Sequence, residues 1–100
     1  MRVDKAVFEF EWDEGNIGKN KKHNVEDKEA EEVFLDEDKV IYKDILHSQI
    51  EDRFIILGKT RKNRSLYVVY TKRKNKIRII SARDINKKEV RIYEKKAENT

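Results

Sequence analysis

KIRIISARDINKKE, residues 76–89, is the stretch on which the fold turns. Ile77, Ile79 and Ile80 give it the β-branched density of a buried strand, yet Arg78 sits inside it and Arg83 at its exit. Beyond Arg83 the chemistry changes. Asn86 and Glu89 have the spacing of a capping box, and Ile85 with Val90 that of a hydrophobic staple. A helix is therefore expected to start at residue 87 and to set Val90 and Tyr93 against the sheet. An arginine held at the end of a rigid strand is either a solvated decoration or a fixed cation waiting for an anion.

The strand signals continue backwards from this point. Val40–Tyr42, Phe54–Leu57, Leu66–Thr71 and Lys76–Ala82 are short β-rich runs separated by polar turns, which reads as a meander of antiparallel strands. The last two turns, KTRKNRS at 59–65 and KRKN at 72–75, are both cationic. Before the acidic triplet at 36–38 the period is different. Phe8, Phe10 and Trp12 alternate with Glu9, Glu11 and Asp13 as a half-buried strand would. Asp13 is placed to cap a short helix over residues 14–22, whose Lys19, Lys21 and Lys22 gather near its electronegative end. Asn24 fits the left-handed position just past that end. A second helix is expected over 27–35, with Ala30, Val33 and Phe34 as its buried stripe and acids at its start. Residues 97–100 are expected to fray. The order of elements predicts one α+β domain spanning residues 1–100: a strand, two N-terminal helices, an antiparallel meander and one C-terminal helix.

Composition narrows the partners. At 37% apolar, the 100 residues fill one modest core, while 44% charged residues make an ionic surface. There is no cysteine, so disulfides, thiolate metal sites and a thiol nucleophile are excluded, and a reducing compartment suits the chain. No run reaches the length of a membrane span, and MRVDKAVFEFEWDE lacks the apolar centre of a signal peptide, so the expected location is cytoplasmic. The net charge of +4 hides an asymmetry. Residues 1–52 hold 8 Lys+Arg against 16 Asp+Glu, a net −8, and residues 53–100 hold 16 against 4, a net +12. Either the basic half meets a polyanion such as nucleic acid, or the two halves neutralise each other in the fold.

FEWD at 10–13, KHNV at 22–25, EAEEVF at 29–34, EDRFIILG at 51–58, LYVVY at 66–70 and IRIISAR at 77–83, followed by KKE and Tyr93, form an ordered set across nearly the whole chain. In that set the chain resembles the BrnT toxins of bacterial type II toxin–antitoxin modules, a family with the RelE-like ribonuclease fold. The resemblance implies a small metal-independent endoribonuclease that arrests translation and needs no cofactor. It also implies a BrnA-like ribbon-helix-helix antitoxin as partner in a heterotetramer that touches operator DNA only through the antitoxin, with RNA as substrate and no membrane association. Where the family has Lys-His-Gly-Val, this chain has Lys22, His23, Asn24 and Val25, and the stretch from FEWD to KH is one residue shorter.

Cleaving RNA needs no external nucleophile, because the ribose 2′-OH already lies beside the phosphorus. The protein must supply a base, cations for the charge building on the phosphate oxygens, and a proton for the leaving oxygen. Arg78 and Arg83 are the candidate phosphate cations, since a guanidinium meets phosphate in bidentate fashion. Their opposite parity sends them to opposite faces of a regular strand, so either the strand ends or bulges near Ser81, swinging Arg83 into the cleft, which is the preferred reading, or the two do different jobs. The alternative for each is a plain ion pair with a carboxylate from the acidic half. Glu51 and Arg53 share parity: Glu51 is a candidate base or the group that orients Arg53, and a plain ion pair explains them equally. Lys22 and His23 are an acid–base candidate pair, or simply cations stabilising a helix end. Arg61, Lys62, Arg64, Lys72, Arg73 and Lys74 in the basic turns are candidates for tracking an RNA backbone, and Tyr93 either stacks on a base or fills the core. No carboxylate cluster falls at a metal-site spacing, and a lone histidine in the loop ILHSQ, His47, marks no site. Two alternatives stand beside the enzyme: a non-catalytic nucleic-acid-binding module, and a toxin half that serves chiefly as interface in a repressor complex.

Overall fold

The computed structural model describes residues 8–98. Four strands, β1 (Val40–Lys43), β2 (Arg53–Lys59), β3 (Ser65–Arg73) and β4 (Lys76–Asp84), form an antiparallel sheet in the order β1-β2-β3-β4. This is the expected meander. Its tightest turn shows why: Lys74 and Asn75 both take positive φ, 49° and 70°, as a two-residue hairpin demands. Helix α1 (Asp27–Glu32) and a 3-10 turn (Val33–Leu35) lie against one face, and α2 (Lys87–Glu98) lies against the other.

The two faces carry separate clusters. Side chains Ile56, Leu66, Val68, Tyr70, Ile77, Ile79 and Ala82 pack with Val25, Ala30, Val33 and Phe34, the expected stripe of the second helix. Phe34 sits at the centre of an aromatic group, with ring centroids 5.0 Å from Tyr70, 5.2 Å from Phe10 and 5.7 Å from Phe8. On the other face Val40, Ile55, Leu57 and Val69 pack with Tyr93, and with Tyr42, Tyr67, Ile80 and Ile85 at the margin. Gly58 makes the first layer possible, because a Cβ there would come within 2.9 Å of the Val33 carbonyl oxygen. Helix α2 begins as its capping box dictates. Asn86 N–H donates to Glu89 Oε1 at 3.0 Å, and Glu89 N–H donates to Asn86 Oδ1 at 2.9 Å. Its backbone is helical through Glu98, two residues into the stretch expected to fray; residues 99 and 100, like residues 1–7, lie outside the described part.

The expectation of two N-terminal helices is corrected. Residues 14–18 form turns, and only a 3-10 stretch, Lys19–His23, stands where a helix over 14–22 is expected. Side chains take the place of the helical ladder here. Asp13 Oδ1 accepts the Gly15 N–H at 2.8 Å, Gly18 turns left-handed at φ 67°, and the Gly18 N–H goes to the Asp27 carboxylate at 3.0 Å. Asn24 is left-handed at φ 59°, as its position past the turn requires.

The alternating segment at 8–12 is not a full strand. It runs parallel to β4 through one bridge, Phe10 to Ile77, with Ile77 N–H donating to the Glu9 carbonyl and Glu11 N–H to the Ile77 carbonyl, each at 2.8 Å. Further along β4 no strand among the described residues takes over; asparagines do. Asn16 Nδ2 donates to the Ile79 carbonyl at 3.1 Å, and Asn20 Oδ1 accepts the Ala82 N–H at 3.0 Å. Both asparagines are buried, and together they satisfy a sheet edge that has run out of partner strand.

Candidate functional site

The site is built on the α2 side of the sheet, and a single bulge builds it. Along β3 and β4 the register runs Tyr67 to Arg83 and Val69 to Ser81, then shifts so that Tyr70 pairs with Ile79 and Thr71 with Arg78. Ile80 is the extra residue, one position from the expected place. Ile77, Ile79 and Ala82 accordingly point to the α1 layer, whereas Arg78, Ile80 and Arg83 share the opposite face.

Cross-strand rows describe that face. One row, beneath α2, is Val40, Leu57, Tyr67 and Arg83; the next is Tyr42, Ile55, Val69 and Ser81; the third is Arg53, Thr71 and Arg78. Tyr67 and Thr71 are four residues apart on β3, so their partners Arg83 and Arg78 are separated at the backbone by roughly 13 Å, at ~3.3 Å per residue. Two extended guanidinium groups then meet one phosphate only by leaning towards the Ser81 row.

The two arginines are held very differently. Arg83 stacks over the Tyr67 ring, 3.8 Å from its centroid, and forms a bidentate pair with Glu89 at 3.0 and 2.8 Å. Glu89 is only 8% exposed. Burial pushes its carboxyl up, but Arg83 and the Asn86 N–H outweigh burial and hold it below the ordinary carboxylate range. Burial likewise pushes the Tyr67 and Tyr42 hydroxyls up, so both remain protonated donors above neutral pH.

Arg78 forms its own bidentate pair with Asp13, 2.9 Å for each arm, and a longer contact to Glu11 at 3.3 Å. Its side chain is 13% exposed while that of Asp13 is 55% exposed. The Asp13 hydrogen bond holds the guanidinium more firmly protonated, and Arg78 in turn lowers the Asp13 carboxyl. The turn after Asp13 crosses directly over the guanidinium, since a Cβ at Gly15 would lie 2.6 Å from Arg78 Nη2.

Other expected residues fall around this face. Glu51 and Arg53 line one cleft of about 410 Å³ together with Leu46, His47 and Ile50, but Glu51 pairs with Arg73 at 3.4 Å rather than with Arg53. Arg73 also reaches Glu11 at 3.9 Å. Thr71 underlies this end of the face, buried, its hydroxyl donating to the Asp52 carbonyl at 2.6 Å. Lys22 and His23 are exposed on the 3-10 stretch that Asn20 fastens to β4 at Ala82. Arg64 bonds to the Asp84 carboxylate at 2.8 Å, to the Asn24 carbonyl at 2.7 Å and to Glu29 at 3.1 Å, so its guanidinium pins three segments together. Arg61 is exposed in the β2–β3 turn, where its N–H donates to Glu32 Oε1 at 3.1 Å. Lys72 is exposed at the β3–β4 hairpin. Tyr93 is buried in the second cluster, its hydroxyl donating to Asp36 Oδ2 at 2.7 Å, and burial followed by that bond raises its ionisation far out of reach.

Sequence reasoning allowed that an arginine pairs with a carboxylate of the acidic half, but it did not single out Glu11, Asp13 and Glu89 as those partners, nor Asn16 and Asn20 as edge caps. The acids of residues 9–13 were visible as the polar side of an alternating strand, and Asp13 also as a helix cap. Among the described residues, no group of three or more His, Cys, Asp or Glu is placed to hold a metal ion, and no helix is long and apolar enough to cross a membrane.

A family model, described as the ribonuclease toxin BrnT of a type II toxin–antitoxin system, matches residues 12–89. No curated protein matches the chain.

Proposed function

The chain belongs to the BrnT family of ribonuclease toxins of type II toxin–antitoxin systems, and from that membership we propose a metal-independent endoribonuclease in which the ribose 2′-OH attacks its own phosphate. The product ends are a 2′,3′-cyclic phosphate and a free 5′-hydroxyl. Arg78 and Arg83 neutralise the phosphate oxygens as charge builds in the transition state. Glu51 is the candidate base or the orienting partner of the neighbouring cations, and Lys22 with His23 supply the candidate proton for the leaving oxygen. Arg53 is a further candidate catalytic cation beside Glu51, and Arg61, Arg64, Lys72 and Arg73 are the proposed backbone-tracking cations; Tyr93, buried in the second cluster, acts by holding α2 in place.

The observation that supports this reading most is the bulge at Ile80, which gives Arg78 and Arg83 a common face despite their opposite parity. The RelE-like assignment of the fold, the cytoplasmic location and a BrnA-like ribbon-helix-helix antitoxin that carries the complex to operator DNA belong to the same proposal. The reading of a non-catalytic RNA-binding module draws on a different observation, the carboxylates that engage both arginines in this state. The two readings part on Arg78→Ala and Arg83→Ala. Catalysis predicts a loss of cutting of about 100-fold or more for each, with RNA binding weakened only several-fold. A pure binder shows no cutting in the parent and only a smaller salt slope in the variants.

A further inference from the structure

Glu11 and Asp13 carry the furthest consequence of the structure, because they occupy the seat that an RNA phosphate would take. We infer that these two carboxylates are a resident counter-anion for Arg78, competing with RNA and holding its affinity down until the substrate displaces them. The inference rests on the RNA-cleaving reading of this face.

The geometry is that of a phosphate contact. Asp13 offers two oxygens to two guanidinium nitrogens at 2.9 Å each, the bidentate arrangement that Arg makes with phosphate. The crossing turn at Gly15 leaves Arg78 mostly covered, so an incoming phosphate must move Asp13 aside to reach it. Displacement is feasible because Asp13 is more than half exposed, so its carboxylate is hydrated by solvent once it leaves the guanidinium. Arg83 differs, because its partner Glu89 is buried and also caps α2. One arginine is therefore exchangeable and the other is fixed. Charge agrees: Glu11, Asp13 and Glu51 face Arg73 and Arg78 at this end of the sheet, so the pairs cancel the field that would attract RNA. The acidic first half of the sequence thus meets the basic second half at the substrate face itself.

The test uses the full chain and a single-stranded 2′-O-methyl RNA oligonucleotide, which binds without being cut. The double variant Glu11→Gln with Asp13→Asn keeps side-chain acceptors and removes both charges. It should bind tenfold or more tightly than the parent, because a phosphate reaching Arg78 no longer has to displace a charged partner. Adding Arg78→Ala should abolish the gain. A folded variant with unchanged or weaker affinity overturns the inference, as does a gain that survives Arg78→Ala. Should Asp13→Asn disturb the turn at Gly15, Glu11→Gln alone must still tighten binding, and failure to do so also overturns it. If Arg78→Ala in the parent leaves RNA affinity unchanged, the RNA reading of this face falls as well. A parent that depends on Arg78, with no gain in the charge-neutral variants, refutes the counter-anion role alone.

Discussion

Asn20→Ala isolates one hydrogen bond that joins the N-terminal turn to the strand carrying both arginines. Asn20 is 2% exposed, and its Oδ1 accepts the Ala82 N–H at 3.0 Å across 62 residues of sequence. Among the described residues no strand lies beyond β4 at this point, so the substitution leaves a buried backbone donor without a partner. An orphaned donor of that kind destabilises by about 1–3 kcal/mol. The lost side-chain volume adds to this. One term acts the other way: Asn20 Nδ2 has no hydrogen-bond partner, and truncation removes that unsatisfied group too. The expected net loss is about 2 kcal/mol, which for a chain of this size lowers Tm by roughly 8–16 °C. Urea unfolding gives the global value, and amide hydrogen exchange gives the local one. The Ala82 amide should exchange at least tenfold faster in the variant, since each 1.4 kcal/mol is a factor of ten in an opening equilibrium. A variant within about 0.5 kcal/mol of the parent, with Ala82 still protected, would refute the view that asparagines substitute for a missing strand.

Gly58→Ala should destabilise by about 1–3 kcal/mol in urea unfolding, because its Cβ would meet the Val33 carbonyl at 2.9 Å and neither backbone can yield; a neutral result would mean the α1 layer is not seated as described. Glu89→Ala should lose about 1–2 kcal/mol, mostly through the capping bond from Asn86, since its ion-pair partner Arg83 is more than a third exposed. Glu89 and Asp36 are held below the ordinary carboxylate range against burial, by Arg83 and Tyr93 respectively, and Asp84 is held there by Arg64. Depressed carboxyls contribute fully above the unfolded value near pH 4 and lose that contribution as pH falls through the folded one. Stability should therefore be level from about pH 7 to 5 and fall below about pH 4, with a shallower fall in Glu89→Ala; a gain in stability on acidification would contradict the pairing.

The strands and the C-terminal helix were legible because their signals are local. Val, Ile and Tyr runs between polar turns mark the meander, and Asn86 with Glu89 mark the start of α2 within four residues. The helix expected over 14–22 failed largely for a non-local reason: beside short-range turn bonds, the Asn16 and Asn20 side chains bond to β4 and the Gly18 N–H bonds to Asp27. Periodicity cannot register partners so distant. The bulge was anticipated from the parity of Arg78 and Arg83, which is a local inconsistency in the sequence. What those arginines touch was not, since Asp13 lies 65 residues from Arg78. Arginines on separate surfaces, each tied up with an acidic side chain, would remove the case for a nuclease. One half of that condition is absent and the other is present: Arg78 and Arg83 share a face, and each is engaged by a carboxylate. On the proposed reading RNA therefore enters by competition at Arg78.

The most direct test is to incubate the purified chain with single-stranded RNA in excess EDTA and to analyse the ends. The account predicts cutting that leaves 2′,3′-cyclic phosphates, and no cutting at positions where the ribose is replaced by 2′-deoxyribose. Intact RNA, or cutting that persists at 2′-deoxy positions, would contradict it.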